Sequence, residues 1–476
     1  MTDPVTDAVL AERRRRISPR FSPPPTPPAS LLIHGAVLGF WILLVARAFG
    51  GGGLWAWSAG LAYIAYDTLL LLFVFRQDLV LFRPAAISPL PPDALPATTV
   101  IVAARNEAAV LPDTLRALRA QSTPSTAILL ADDGSTDHTA TLLSGEYGLS
   151  PISPFPVAHA EPSPDPFPAP LRWLRLPPGG KARALNAAIA LADTELVLTI
   201  DADTLVEPGA IEAMRRAFAA DPALVAATGV LSPARVSARR GRVLRWFQSY
   251  EYVRNFLSRS AWGRADALLL LSGAFSCFRR DAVLRVGGFD PDCLVEDYEL
   301  THRLRDHAVR SGLRWRTAVI GAAQGRTEVP DTVSAFLRQR RRWFGGFLQC
   351  QYWYRHMVGS RRHGALGLLM LPVKAIDTMQ PFYGLAGAVL ILAFLLAGRF
   401  AVLVPALLAI AAKTALDLAF HLWSLRAWRA WLGLPRAPAA FPAVLASILE
   451  PFSFQLLRHA GAALGWVTLL TRSRRW

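Results

Sequence analysis

The stretch Leu196–Thr204, LVLTIDADT, carries the strongest chemical signal in the chain. An apolar run from Leu196 to Ile200 stops at Asp201-Ala202-Asp203, the pattern of a buried strand reaching a polar edge. Side chains alternate along a strand, so the two aspartates point to one side. They sit at the C-terminal strand end, where open α/β sheets take their ligands. Two neighbouring carboxylates repel unless a cation lies between them. Mg2+ or Mn2+ suits oxygen donors and also binds substrate phosphates. A solvated turn would also put Asp after a strand, so the pair does not define a site alone.

Further polar groups follow the same logic. Thr99–Glu107, TVIVAARNE, reads as a strand entering a polar turn that can hold a base and ribose. The run Ala127–Leu130 leads to Asp132-Asp133-Gly134-Ser135, where a carboxylate can accept from a nucleobase imide or a ribose hydroxyl. Gly179-Gly180-Lys181 precedes a predicted helix. It is not a P-loop, because Ala182 replaces the required Ser or Thr and the upstream glycine is missing. Lys181 remains a phosphate or base contact, or a plain surface lysine. Glu296-Asp297 opens another predicted helix, where the helix dipole favours negative charge. Simple capping explains that pair, and so does a general base at Asp297. Gln339-Arg340-Arg341-Arg342-Trp343 offers guanidinium groups for a diphosphate and an indole for stacking on a sugar. A basic membrane anchor would use the same arginines.

The elements that must position these residues are legible in outline. The 476 residues allow one large domain or two ordinary ones. Hydrophobic residues make up 53% of the chain and the mean hydropathy is +0.30, which points to a soluble domain joined to membrane spans. The net charge of +16 would suit nucleic acid or anionic lipid. Much of the Arg flanks apolar segments, which favours membrane lipids and argues against nucleic acid. Cys277, Cys293 and Cys350 show neither metal spacing nor a disulfide framework. Residues 1–30, with ERRRR at Glu12–Arg16 and a Pro-rich run, predict a disordered basic tail. Residues 31–75 hold two spans, with Trp55 and Trp57 as interfacial anchors. Residues 76–330 form an alternating α/β domain with a mainly parallel sheet, interrupted by a Pro-rich surface loop at Pro151–Pro178. Residues 331–363 are interfacial amphipathic helix, and 364–476 are C-terminal transmembrane or interfacial helices. Basic loops at Arg426–Arg436 and Arg472–Arg475 predict a cytoplasmic face, so the catalytic domain is expected on the cytoplasmic side of the inner membrane. Within one apolar segment Lys413, Asp417 and His421 share a helical face, as an ion pair or as the wall of a hydrated passage.

Taken in order, DDGS, GGK, DAD, SGAFSCFRR, VED and QRRRW resemble the membrane-embedded family 2 glycosyltransferases, which include cellulose, hyaluronan and poly-N-acetylglucosamine synthases. The resemblance covers roughly residues 95–350 and the flanking spans. It implies a GT-A-type, Rossmann-like fold inserted between transmembrane helices, a nucleotide-diphosphate sugar donor, usually UDP-linked, and Mg2+ or Mn2+. By the same resemblance Asn106, Glu107, Asp132, Lys181 and Asp201 bind the nucleotide, and Asp201 and Asp203 lie at the metal. Asp297 would deprotonate the acceptor hydroxyl. Ser272, Gly273, Glu296, Gln339, Arg342 and Trp343 would hold acceptor and diphosphate. VED replaces the commoner TED, and no FxVTxK-like gating loop follows the interfacial helix.

The chemistry is coherent by itself. A sugar diphosphate leaves only when its charge is neutralised, and the attacking hydroxyl needs a carboxylate base. One base with no second carboxylate placed as nucleophile predicts direct displacement with inversion. The expected product is a growing polysaccharide, exported with or without an envelope partner protein. Single addition to a lipid acceptor is the nearest alternative. A non-catalytic scaffold or receptor with a degenerate transferase domain is the alternative of another class, and the complete set of carboxylates speaks against it.

Overall fold

The computed structural model describes residues 7–50, 58–83, 91, 94–123, 125–152, 169–234, 241–434 and 440–471. Trp55, Trp57, Arg472–Arg475 and much of the Pro-rich insertion lie outside the described residues. The helices are α1 (Asp7–Ile17), α2 (Pro28–Gly50), α3 (Ser58–Asp78), α4 (Leu111–Arg119), α5 (Thr139–Gly145), α6 (Lys181–Leu191), α7 (Ala210–Ala220) and α8 (Arg242–Arg264). They continue with α9 (Arg280–Arg285), α10 (Glu296–Arg310), α11 (Val333–Trp353), α12 (Leu371–Asp377), α13 (Gln380–Leu396), α14 (Phe400–Leu432), α15 (Ala440–Leu449) and α16 (Phe454–Leu470). The chain forms two units. The first holds α1, the whole sheet and helices α4–α7, α9 and α10; the second holds α2, α3, α8 and α11–α16. The expected single domain over 76–330 is therefore corrected: α8 belongs with the helical unit, and α1 with the sheet.

Among the described residues nine strands make the sheet: β1 (Thr98–Ala104), β2 (Ala127–Asp132), β3 (Pro151–Ile152), β4 (Leu171–Arg175), β5 (Leu196–Asp201), β6 (Thr204–Val206), β7 (Leu224–Pro233), β8 (Phe275–Arg279) and β9 (Arg316–Thr327). Their order is β3-β4-β2-β1-β5-β8-β7-β9-β6. Strands β3, β4, β2, β1 and β5 run parallel. The antiparallel β8 lies between β5 and β7. Val100, Ile101, Leu198 and Val197 are completely buried, as strands covered on both faces must be. The expected strands at 98, 127 and 196 are present, and β2 and β5 run on to Asp132 and Asp201. The insertion between Pro151 and Pro178 is not all loop, because LRWLR at Leu171–Arg175 joins the sheet beside β2.

The basic N-terminus is ordered where it was expected to be disordered. Leu10 is buried in the core of the first unit. The Arg14 guanidinium donates to the Gly287 and Phe289 carbonyls, both at 2.8 Å. Arg20 donates to both oxygens of Asp290. Leu10 and Arg14 lie one helical turn apart and therefore share a face. The arginines find carbonyls and a carboxylate instead of repelling one another.

Among the described residues two segments are long and apolar enough to cross a membrane, Leu366–Leu396 (31 residues) and Ala406–Leu432 (27 residues). Pro28–Leu43 and Phe441–Phe452 are shorter apolar helices. The C-terminal apolar stretch is broken at Glu450–Phe452 by a 3-10 turn carrying Pro451, which separates α15 from α16. Helix α16 packs on α11 through Gly461 and Gly465. A Cβ at Gly465 would lie 2.7 Å from the Gly345 nitrogen, and one at Gly461 2.5 Å from Arg340 Cβ. Gly387 on α13 faces open space. Gly465→Leu should therefore lower the melting temperature of the detergent-solubilised protein by the equivalent of about 1–3 kcal/mol of overpacking. Gly387→Leu should leave it unchanged. Equal melting of both variants with wild type would contradict this packing.

Candidate active site

The site in the first unit forms at the C-terminal ends of β1, β2 and β5. Strand β5 delivers Asp201, and the following turn delivers Asp203. That turn is fixed by Thr114 on α4, whose hydroxyl donates to the Ala202 carbonyl at 2.6 Å. Asp203 accepts from the Thr204 and Thr327 hydroxyls, both at 3.3 Å. Lys181, the first residue of α6, hydrogen bonds Asp201 through its ammonium. It also reaches the Gly273 carbonyl at 3.3 Å and Glu296 at 3.9 Å. Asp297, at the head of α10, accepts from the Gly273 amide at 2.7 Å and from the Tyr298 amide at 2.8 Å. A Cβ at Gly273 would fall 2.9 Å from the Asp297 carboxylate and 3.5 Å from the Lys181 ammonium. Only glycine lets this backbone approach both groups.

The residues expected to bind the nucleotide behave differently from one another. Asn106 holds a left-handed backbone, φ 59°, a conformation Asn tolerates better than most residues. Its side-chain oxygen accepts from the Thr136 amide at 2.8 Å and the Asp137 amide at 3.3 Å. It thereby ties the loop after β1 to the loop after β2. Asp132, expected to contact a base or ribose, is buried and turned inward. Its oxygens accept from the Ser135 amide at 2.8 Å and the Trp173 indole at 3.3 Å. Asp133, not singled out beside it, accepts from the Gly179 and Gly180 amides. It shapes the turn from which Lys181 projects. The two aspartates are consecutive at a strand end, so strand alternation sends one to the sheet and the other to the neighbouring loop.

Electrostatics single out the acidic side of the crevice. Burial pushes the Glu107 carboxyl up to about 7, helped by Asp203, Glu328, Asp201 and Asp137. Burial, with Asp201 and Glu328, pushes Asp203 up to about 6. Burial alone would lower the Lys181 ammonium, but Asp201, Glu296 and Asp297 outweigh it and hold it above its ordinary range. Crowded carboxylates that retain protons toward neutrality are the mark of a place lacking positive charge. Glu328 was not legible as a member, since it is one acid after a strand with no motif around it.

Asp201 and Asp203 offer the hard oxygen donors that a divalent cation takes. No group of three or more His, Cys, Asp or Glu side chains suited to a metal occurs among the described residues. Asp201 and Asp203 would be a partial ligand set, as suits a hard ion that keeps water and completes its shell with substrate phosphate oxygens. Lys181, Asp201, Asp203, Glu107, Ser272, Gly273, Glu296 and Asp297 thus belong to one unit. Ser272 stands beside Gly273, its amide donating to the Thr228 hydroxyl at 3.2 Å. Gln339, Arg342 and Trp343 lie on α11 in the helical unit. There Arg340 is a structural residue. It pairs with Glu251 at 2.6 Å, and its guanidinium lies 4.6 Å from the centroids of both Phe336 and Trp343. Gln339 Oε1 is buried with no hydrogen-bond partner.

A sheet of this order, with the Asp201–Asp203 turn in its crevice and an acid-headed helix beside it, is a GT-A-type fold. A mannosyltransferase from Pyrobaculum calidifontis, solved in complex with GDP-Man and Mn2+, shares it with a TM-score of 0.52, over 88% of this chain and 99% of that one. At 21% identity that likeness concerns the fold alone. Residues 99–287 match Glycosyl transferase family 2, and residues 196–412 match Glycosyl transferase family group 2. Together the two matches span residues 99–412, so this part of the chain carries a family 2 glycosyltransferase domain. It is similar to the poly-beta-1,6-N-acetyl-D-glucosamine synthase of Staphylococcus aureus (strain COL), 29% identical over 256 residues, which are 53% of this chain and 55% of that protein. The enzyme of that name from Staphylococcus epidermidis is 28% identical over 250 residues, 52% of this chain and 53% of the relative. The chain spans about half the length of the curated relatives it matches.

The raised carboxyls give a signed pH dependence. Glu107 and Asp203 bind protons in the folded state above the ordinary carboxylate range, so their contribution to stability is lost as pH rises through about 6 and then about 7. A cation must displace those protons, so its binding strengthens over the same window. Mn2+ should raise the melting temperature of the purified protein more at about pH 8 than at about pH 5.5. A shift that is the same at both values would contradict the assignment of these acids to a cation site.

Proposed function

We propose that the chain is an inverting glycosyltransferase that moves a sugar from a nucleotide-diphosphate donor, UDP-linked, to the end of a growing polysaccharide. The observation that carries this reading is the juxtaposition of Lys181 and Asp201 with Asp297 across the Gly273 backbone. The family match and the similarity to polysaccharide synthases support it. Asp297 takes the proton of the acceptor hydroxyl as that oxygen attacks the anomeric carbon. The bond from that carbon to the diphosphate oxygen breaks, and configuration inverts in the single displacement. Amide donors from Gly273 and Tyr298 keep Asp297 oriented while a lone pair remains for the incoming proton. Lys181 neutralises leaving-group charge. Mg2+ or Mn2+ held by Asp201 and Asp203 would supply Lewis-acid stabilisation of the diphosphate when bound. Gln339, Arg342 and Trp343, on α11 of the helical unit, are assigned to acceptor and diphosphate by the family resemblance alone.

The same reading puts the transferase unit on the cytoplasmic side of the inner membrane, with lipid against the exposed apolar faces of α13 and α14. Within the helical unit a cavity of about 600 Å3 is lined by Asp67, Arg254, Lys413, Asp417, Glu450 and His459 among others. Lys413 bridges Asp67 at 2.7 Å and also pairs with Asp417. His421, expected on the same stripe, is buried against Tyr250 with ring centroids 5.0 Å apart. A cavity that carries these charged side chains in a mainly apolar lining is the candidate passage for a sugar chain, with or without an envelope export partner. Single addition to a lipid acceptor would give a product of one size.

A panel of nucleotide sugars with Mn2+ or Mg2+ tests the proposal by nucleotide release and product length. One donor should be turned over, and the product should lengthen with time. Asp297→Asn should keep donor affinity and lose about 10²–10⁴-fold in transfer rate. Near-normal turnover in that variant would overturn the role of Asp297, and no release from any donor would overturn the function.

A further inference from the structure

The residues that carry Lys181 and Asp297 meet in a second place, away from the crevice. Helix α6, which begins at Lys181, also carries Asn186. Helix α10, which begins with Glu296 and Asp297, also carries Arg303. Both grip the turn Val286–Asp290. The Asn186 side chain donates to the Phe289 carbonyl at 2.9 Å and accepts from the Phe289 amide at 2.7 Å. Arg303, wholly buried and paired with Glu299 at 2.5 Å, donates to the Val286 carbonyl at 2.7 Å. Gly287 and Gly288 have φ of 91° and 69°. A Cβ at Gly288 would sit 2.4 Å from the Asn186 oxygen. The turn is therefore shaped to be clasped closely, and seven residues later the chain reaches Asp297.

The third side of the clasp comes from far away in sequence. Arg14 of α1 is buried and donates to both the Gly287 and the Phe289 carbonyls. A Cβ at Gly287 would lie 2.4 Å from the Arg14 nitrogen, so the α1 backbone rests directly on the turn. Arg13 adds a bond to the Leu284 carbonyl at 3.0 Å, and Arg20 closes on Asp290. Arg14 thus shares the Phe289 carbonyl with Asn186 and the Val286–Phe289 turn with Arg303. Two buried guanidiniums are brought to one turn, an arrangement costly unless their donors are used.

We infer that Arg14 is a positioning residue for sugar transfer: its two bonds lock the turn against α6 and α10, and so fix Lys181 relative to Asp297. This rests on the reading of those two residues as diphosphate contact and base. Donor binding draws on Lys181 and the nucleotide loops, whereas transfer needs Asp297 in register with them, so loss of Arg14 falls on the rate of transfer. Misplacement of a base by an ångström costs up to about 10²-fold.

The test uses full-length Arg14→Met and Arg14→Lys in detergent, with donor KM and kcat read from nucleotide release and amide exchange read by mass spectrometry. Arg14→Met should lower kcat by about tenfold or more and leave donor KM nearly unmoved, and Arg14→Lys should recover part of the loss. Exchange should quicken over residues 286–297. A folded Arg14→Met with unchanged kcat, or with KM raised and kcat kept, overturns the inference. If Arg14→Met does not fold, Arg20→Gln decides, because it loosens the same turn while Leu10 keeps α1 docked. A severalfold fall in kcat at constant KM supports the positioning role, and wild-type kinetics overturns it. If wild type turns over no donor, the proposed function fails. The exchange comparison then decides the clasp alone, and unchanged protection over 286–297 overturns it.

Discussion

Carboxylates crowded at the strand ends repel one another, and the ammonium of Lys181 is the charge that lets them stay together. Asp201 is bonded to it, and Glu296 and Asp297 lie within its field. Where that field weakens, at Asp203 and Glu107, the acids retain protons toward neutrality. A protein gains nothing in stability from such a cluster. Perturbed acids gathered in a cleft are a common mark of a binding site.

The surrounding structure serves that constraint. Asp133 spends its carboxylate on the two glycine amides that precede Lys181, and Asn106 accepts backbone strain to lace two loops together. Gly273 gives up a side chain so that its amide and carbonyl meet Asp297 and Lys181. Behind the crevice, α1 closes the turn that links the helices bearing those two residues. In the helical unit Arg340 is held between two aromatic rings and Glu251. Of the arginines in QRRRW, this one braces the helix.

The legible part of the sequence was the part written by burial. The run Leu196–Ile200 is apolar but for Thr199 because both sheet faces are covered, and a sudden Asp marks where the sheet ends. The motif residues at strand ends and helix heads followed from that, and Lys181, Asp201, Gly273 and Asp297 do converge. Three things were hidden. Strand LRWLR sits in a Pro-rich frame, and its pairing with β2 is visible only in three dimensions. Asp132 and Asp133 are equivalent as letters, yet one faces Trp173 and the other the glycine turn. The basic N-terminus has the composition of a solvated tail, but its Arg14 meets carbonyls 273 and 275 residues further on. Long-range satisfaction of a buried guanidinium leaves no local signal.

The central claim is that the Asp201–Asp203 turn holds a divalent cation jointly with a nucleotide diphosphate. Electron paramagnetic resonance of Mn2+ titrated into the purified full-length protein at about pH 8, with and without UDP, measures it directly. The account predicts that UDP tightens Mn2+ binding in wild type and that Asp203→Ala abolishes this gain. Equal Mn2+ binding by the two proteins, indifferent to UDP, would contradict it.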